Sequence, residues 1–143
     1  MDAEKLLNLV DRQMVIDLAV EMINTPSATG EEGDMARVLE RMLKEVGCST
    51  HLQNIYDDRY NSIGRLSGSG NGPKVLMSGH MDTSVSGNED YLVGKGWKNH
   101  AVVESDRIYG NGIMNMKNAL VSYIAGLDAL RRAGIKLPGD LII

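Results

Sequence analysis

The hydrophobic period of this chain is helical up to Gly47, strand-like from Cys48, and helical again from Asn115 to Ala133. Such alternation constrains the chain to an α/β architecture with a sheet carrying helices. Val15, Leu18, Ala19 and Met22 fall at helical spacing, and Leu7, Val10 and Met14 extend that stripe upstream. Asn24-Thr25-Pro26 ends the helix, because the residue before a proline avoids the α region. Thr29-Gly30-Glu31-Glu32 reads as a capping box, with a threonine hydroxyl at the N-cap and a glutamate reaching back. Met35, Val38, Leu39, Met42 and Val46 then make an apolar face that stops at Gly47. Residues 48–56 and 60–67 read as strands, and Gly68 to Pro73 as a hairpin-type loop. Lys74 to Ser78 reads as a short buried strand. Residues 83–100 read as a long polar loop, and Val102 to Tyr109 as holding a short strand. Asn115 to Ala133 is the clearest helix, with Gly134 as its stop, and a further strand runs from Asp140 to Ile143. The expected fold is α/β, a mixed sheet flanked by helices.

Composition narrows the functional classes. Of 143 residues, 43% are hydrophobic and 24% charged, a globular balance that excludes wholesale disorder. The net charge of −4 argues against nucleic acid as the main partner. No apolar run approaches the roughly 18 residues of a membrane helix. Met1 to Lys5 shows no basic region leading into an apolar one, so no signal peptide is expected. The one cysteine, Cys48, has no internal disulfide partner, which suits a reducing, cytoplasmic setting. Nine methionines and no phenylalanine imply an aliphatic, methionine-filled core.

Two constellations carry chemistry. Ser78-Gly79-His80-Met81-Asp82-Thr83 follows a strand, where α/β proteins place their sites. A histidine and an aspartate two apart on extended backbone face the same side. The carboxylate can then hold one ring nitrogen's proton while the other nitrogen binds a metal. Read alone, His80 also fits an ordinary polar strand-end residue and Asp82 a turn starter. The second constellation, Tyr109-Gly110-Asn111-Gly112-Ile113-Met114-Asn115-Met116-Lys117, is a glycine-rich turn opening the clearest helix. It completes neither a dinucleotide fingerprint nor a Walker A motif. By local signals alone, Asn115 reads as a helix cap and Lys117 as a neutraliser of the helix surface. His51 and His100 have no partners in sequence, Cys48 has no nucleophile signature, and Glu31-Glu32 belong to the capping box.

Taken in order, Pro26-Ser27-Ala28-Thr29-Gly30-Glu31-Glu32, Gly79-His80-Met81-Asp82-Thr83 and Tyr109-Gly110-Asn111-Gly112 leading to Met116-Lys117 resemble a known family. They are similar to the N-terminal part of the zinc-dependent peptidases and deacylases. That family includes acetylornithine deacetylase, succinyl-diaminopimelate desuccinylase, aminoacylase and glutamate carboxypeptidase. The resemblance implies a metal-dependent hydrolase of amide bonds in N-acyl amino acids or small peptides. It assigns His80 as a zinc ligand, with cobalt or manganese as alternatives. It assigns Asp82 as the catalytic-site carboxylate that supports His80, and position 115 as a bridging metal ligand. It also implies a cis peptide at Asn115-Met116, a small-molecule substrate and a homodimeric parent. In such enzymes the metal activates a water and polarises the carbonyl, and a glutamate serves as general base.

Two departures from the family pattern stand out. Asn115 occupies the place of a bridging aspartate, and an amide brings no charge, which argues against a tight two-metal site. The strand Leu141-Ile142-Ile143 would lead into a Glu-Glu pair that is not in the sequence. Residues 1–143 are therefore expected to be a single partial catalytic domain, with the C-terminal remainder and dimerisation domain absent, and inactive alone. The competing expectation is a non-catalytic remnant or binding module that keeps the fold.

Overall fold

A computed structural model describes residues 3–143. Met1 and Asp2, part of the stretch in which no signal peptide is expected, lie outside the described residues. The expected α/β fold is present. Helices α1 (Ala3–Leu7), α2 (Arg12–Asn24) and α3 (Gly33–Glu45) come first. Strands β1 (Ser49–Tyr56), β2 (Arg59–Leu66) and β3 (Val75–Leu76) follow. A hairpin of β4 (Val102–Glu104) and β5 (Arg107–Tyr109), helix α4 (Asn118–Arg132) and β6 (Leu141–Ile142) complete the chain.

The main sheet has the order β1-β2-β6-β3. β1 and β2 are antiparallel, β2 and β6 antiparallel, and β6 and β3 parallel, so the sheet is mixed. The loop from Gly68 to Pro73 is not a hairpin, because β6 lies between the strands it joins. Asp140 holds that insertion in place. Its carboxylate accepts from Arg65 Nη2 at 2.6 Å and from the Gly68 amide at 3.1 Å.

α3 packs across β1 and β2, and α2 packs against α4. The shared core contains Met22, Met35, Leu39, Met42, Leu43, Leu120, Ile124 and Leu127. Methionine fills it as expected, with Met22, Met35 and Met42 all buried. Gly47 and Gly134 both take left-handed backbone (φ +93° and +65°), as helix stops require.

Four local expectations are corrected. Of the upstream stripe only Met14 belongs to α2; Leu7 and Val10 do not. The chain breaks between Leu7 and Arg12, where Asp11 caps α2 by accepting from the amides of Gln13 and Met14. Leu7 is exposed. The 74–78 segment is not a buried strand: it shortens to Val75–Leu76, and Leu76 is 70% exposed, because β3 pairs only with β6. Val102 to Tyr109 holds two short strands, with the chain reversing at Ser105-Asp106. The clearest helix begins at Asn118, since Asn115 and Met116 depart from helical backbone (φ −142° and −134°).

Candidate functional site

The sheet and helices bring three distant segments together around His80. Past β3 the chain stays extended, and Met77 still donates to Ile142 O at 2.8 Å. Residues 27–29 run parallel to residues 81–83. The Thr83 amide donates to Ser27 O at 2.8 Å, and the Thr29 amide to Thr83 O at 3.1 Å. The buried Ser27 hydroxyl donates to Met81 O at 2.7 Å.

His80 and Asp82 meet as their i, i+2 spacing predicts. Nδ1 of His80 lies 3.1 Å from Asp82 Oδ1 and 3.2 Å from the Asp82 carbonyl oxygen. Asp82 Oδ2 accepts from the Thr29 hydroxyl at 2.7 Å. That hydrogen bond, with the nearby His80 ring, holds the Asp82 carboxyl below its usual range against the opposing effect of burial.

Asn115 reaches the same place, with Oδ1 3.1 Å from His80 Nε2. It is not a helix cap. The Asn115-Met116 peptide is cis. The ring is thus flanked by oxygens at both nitrogens. A lone pair on Nε2 and one on Oδ1 repel at this distance unless a proton or cation lies between them, or the amide turns its NH₂ inward. The two atoms therefore converge on a position that suits a positive centre.

The chain provides specific supports for this arrangement. A side chain on Gly79 would meet Met116 Cε at 2.9 Å, so the His80 segment lies directly over the 115–117 turn. Asn111, buried, donates through Nδ2 to Val85 O and Asn99 Oδ1, both at 3.1 Å. Lys117 does not neutralise the helix surface. It is 1% exposed and donates to backbone carbonyls of α2 and its C-terminal cap. His80 and Asp82 open into a cleft of about 390 Å³ shared with Glu32, Tyr56 and Arg59. Asn115 borders a larger groove of about 990 Å³ with Trp97, Ile108 and Met114.

The capping-box reading of Thr29 and Glu32 is corrected here. α3 starts after Glu32, with no side-chain cap. Glu32 does reach back, but to the Gly30 amide at 2.9 Å, and it pairs with Arg59 Nε and Nη2 at 2.7 and 2.6 Å. The Thr29 hydroxyl donates to the Asp82 carboxylate, and α3 begins only at Gly33, so Thr29 does not stand at the N-cap from which its oxygen could accept a first-turn amide. His51 and His100 are both exposed. Cys48 is buried, and burial pushes its thiol pKa up, which disfavours the nucleophilic thiolate.

Among the described residues, no group of three His, Cys, Asp or Glu side chains is placed to hold a metal ion. The donors at hand are one imidazole nitrogen and one amide oxygen. A catalytic zinc takes three protein ligands, more than this set supplies.

The mixed α/β domain thus presents a carboxylate-backed histidine just beyond the end of a sheet strand. Residues 76–143 match the peptidase family M20/M25/M40. The chain is also 32% identical over 135 residues to a succinyl-diaminopimelate desuccinylase of Parvibaculum lavamentivorans, covering 90% of this chain and 32% of that protein. Human carnosine dipeptidase 1 superposes with a TM-score of 0.79 at 17% identity, over 97% of this chain and 33% of that one. The di-peptidase Dug1p of Saccharomyces cerevisiae gives 0.76 at 18% identity, with the same coverage. These two likenesses concern the fold. The likeness to peptidase family M20/M25/M40 covers residues 76–143, a little under half of the chain. The chain spans about a third of the length of the relatives it matches.

Proposed function

We propose that this chain contributes part of the active site of a metal-dependent hydrolase of amide bonds in N-acyl amino acids or small peptides. His80 is the metal ligand, through Nε2. Asp82 orients the ring and fixes its proton on Nδ1. Asn115 is a second, neutral oxygen donor. The observation that carries this reading is the His80 ring held between Asp82 and Asn115 at 3.1 Å on each side. The relatives support it, being named for desuccinylation and dipeptide cleavage. Zinc is the proposed metal, with cobalt and manganese as alternatives, and the neutral amide at 115 opposes a tight dinuclear site. We place the protein in the cytoplasm, acting on a small-molecule substrate and neither nucleic acid nor membrane, within a homodimeric parent. Among the described residues no helix is long and apolar enough to cross a membrane.

The test is zinc titration of the 143-residue chain by calorimetry, alongside hydrolysis of N-acetyl amino acids. With two donors, weak zinc binding is expected, removed by His80→Ala, and no turnover. Zinc binding that survives His80→Ala unchanged overturns the ligand assignment. Submicromolar affinity with turnover overturns the reading of a partial site.

Asn115 also favours a second reading, a non-catalytic module that keeps the fold. The two separate on the gene sequence after codon 143. An in-frame Glu-Glu pair soon after β6 supplies a general base and a further ligand, and its absence from a longer reading frame supports the non-catalytic module.

A further inference from the structure

We propose that Thr29 is a positioning residue for His80: its hydroxyl holds the Asp82 carboxylate on Nδ1 and so leaves Nε2 as the bare nitrogen of the ring. The hydroxyl has one proton and two acceptors in reach. Asp82 Oδ2 lies at 2.7 Å and Thr83 O at 3.3 Å. The shorter bond goes to the charged oxygen, which is the stronger acceptor. With Oδ2 held by Thr29, Oδ1 is the carboxylate oxygen that faces the ring, 3.1 Å from Nδ1.

The backbone makes this a fixed relationship. Thr29 belongs to the segment bridged to Thr83 through Ser27 O and the Thr29 amide, so its Cα cannot drift away from Asp82. The buried Ser27 hydroxyl on Met81 O fastens the same pair of segments one residue further back. Thr29 is therefore the side chain through which the 26–32 segment grips the His80–Asp82 pair, and it does so from 53 residues away in sequence.

The ring's two sides are unequal. Nδ1 faces two oxygens that cannot donate, the ionised Asp82 carboxylate and the Asp82 carbonyl. Nε2 faces an amide, which can present either its oxygen or its NH₂. In a neutral ring the proton therefore belongs on Nδ1, and the Asn115 amide or a cation adapts to a bare Nε2. Without the Thr29 hydroxyl, Asp82 is free to rotate toward solvent. Only the carbonyl contact then keeps the proton on Nδ1. That a bare Nε2 serves a metal rests on the proposed function; the tautomer itself does not.

The experiment is long-range ¹H–¹⁵N correlation of the histidine rings in the metal-free 143-residue chain, at about pH 8 to 9, where imidazole is ordinarily neutral. His80→Gln identifies the His80 signals against those of His51 and His100. The expected result is a predominant Nδ1–H tautomer in the unsubstituted chain and in Thr29→Ser. In Thr29→Val, which keeps the shape and loses the hydroxyl, the Nδ1–H to Nε2–H ratio should fall about fivefold, the weight of one net hydrogen bond. Thr29→Ala repeats the comparison if the valine variant does not fold. An Nε2–H tautomer in the unsubstituted chain overturns the proposal without any variant. So does a hydroxyl-free variant with the unsubstituted ratio, or a serine variant that behaves like the valine one. The readout needs neither metal nor turnover, so its failure is distinct from failure of the zinc titration.

Discussion

Lys117 Nζ donates to the Met22 carbonyl at 2.7 Å and to the Thr25 carbonyl at 3.0 Å, tying the entry of α4 to the exit of α2. The last carbonyls of a helix lack intrahelical partners and carry the negative end of its dipole. A cation with three donors answers both needs. Burial still acts against its charge and lowers its pKa to about 8. Replacing it by methionine keeps much of the volume and strands two carbonyls. Lys117→Met should destabilise the chain by about 2–4 kcal/mol. Urea unfolding measures this, and a loss below about 0.5 kcal/mol would show that the two hydrogen bonds contribute little.

The Glu32–Arg59 pair predicts a specific acid sensitivity. Burial pushes the Glu32 carboxyl up, but the Arg59 guanidinium and the Gly30 amide together outweigh it and hold the pKa below the usual value. A carboxyl depressed in the folded state stabilises above its unfolded pKa, about 4.3. That contribution is lost as pH falls through the lower folded value. Unfolding free energies from about pH 7 to 3 should therefore drop more steeply for the unsubstituted chain than for Glu32→Gln. Asp82 and Asp140 are depressed too, so the difference between the two curves isolates Glu32. Parallel curves would refute the prediction.

Asn115 and Asp82 should affect zinc affinity in opposite directions. Asn115→Asp places a full negative charge at the oxygen facing His80 Nε2. Even at the dielectric of water, that attraction should tighten binding about tenfold or more. Asp82→Ala removes the ring's support and should weaken binding about 10–100-fold. Calorimetry on the unsubstituted chain and the two variants decides the matter. Equal affinity for the unsubstituted and Asn115→Asp chains would mean that position 115 does not face the metal.

Two glycines should respond oppositely to alanine. A Cβ on Gly110 would collide with Ile23 Cγ2, a buried side chain of α2. Gly110→Ala should cost about 1–3 kcal/mol through overpacking. Gly126 lies inside α4, and a methyl group there would meet nothing within 4 Å, so Gly126→Ala should stabilise by about 0.5–1 kcal/mol. Thermal unfolding of both variants, with the signs reversed, would contradict this account of α2 and α4 packing.

Local signals sufficed where a feature depends on neighbours in the chain. Gly47 and Gly134 stop their helices, 48–56 and 60–67 pair as strands, and His80 meets Asp82, because each rests on a backbone period or a spacing of a few residues. The family resemblance added the cis peptide at Asn115-Met116, which residue patterns alone did not suggest. Asp11 was a legible cap that the long apolar stripe through Leu7 and Val10 obscured.

Other features depended on partners far away along the chain. The same Thr29 hydroxyl suits a helix cap or a carboxylate, and local propensity cannot weigh an acceptor 53 residues distant. Lys117 reads as a surface cation until α2 supplies two carbonyls and closes over it. β6 separates β2 from β3, and Asp140 just before it takes Arg65 and the Gly68 amide, partners 75 and 72 residues away. The sequence by itself determined the α/β pattern, the helix stops and the His80–Asp82 geometry. Tertiary structure decided which acceptor each polar side chain takes, because hydrogen bonds and burial are settled by competition among groups that only the folded chain brings together.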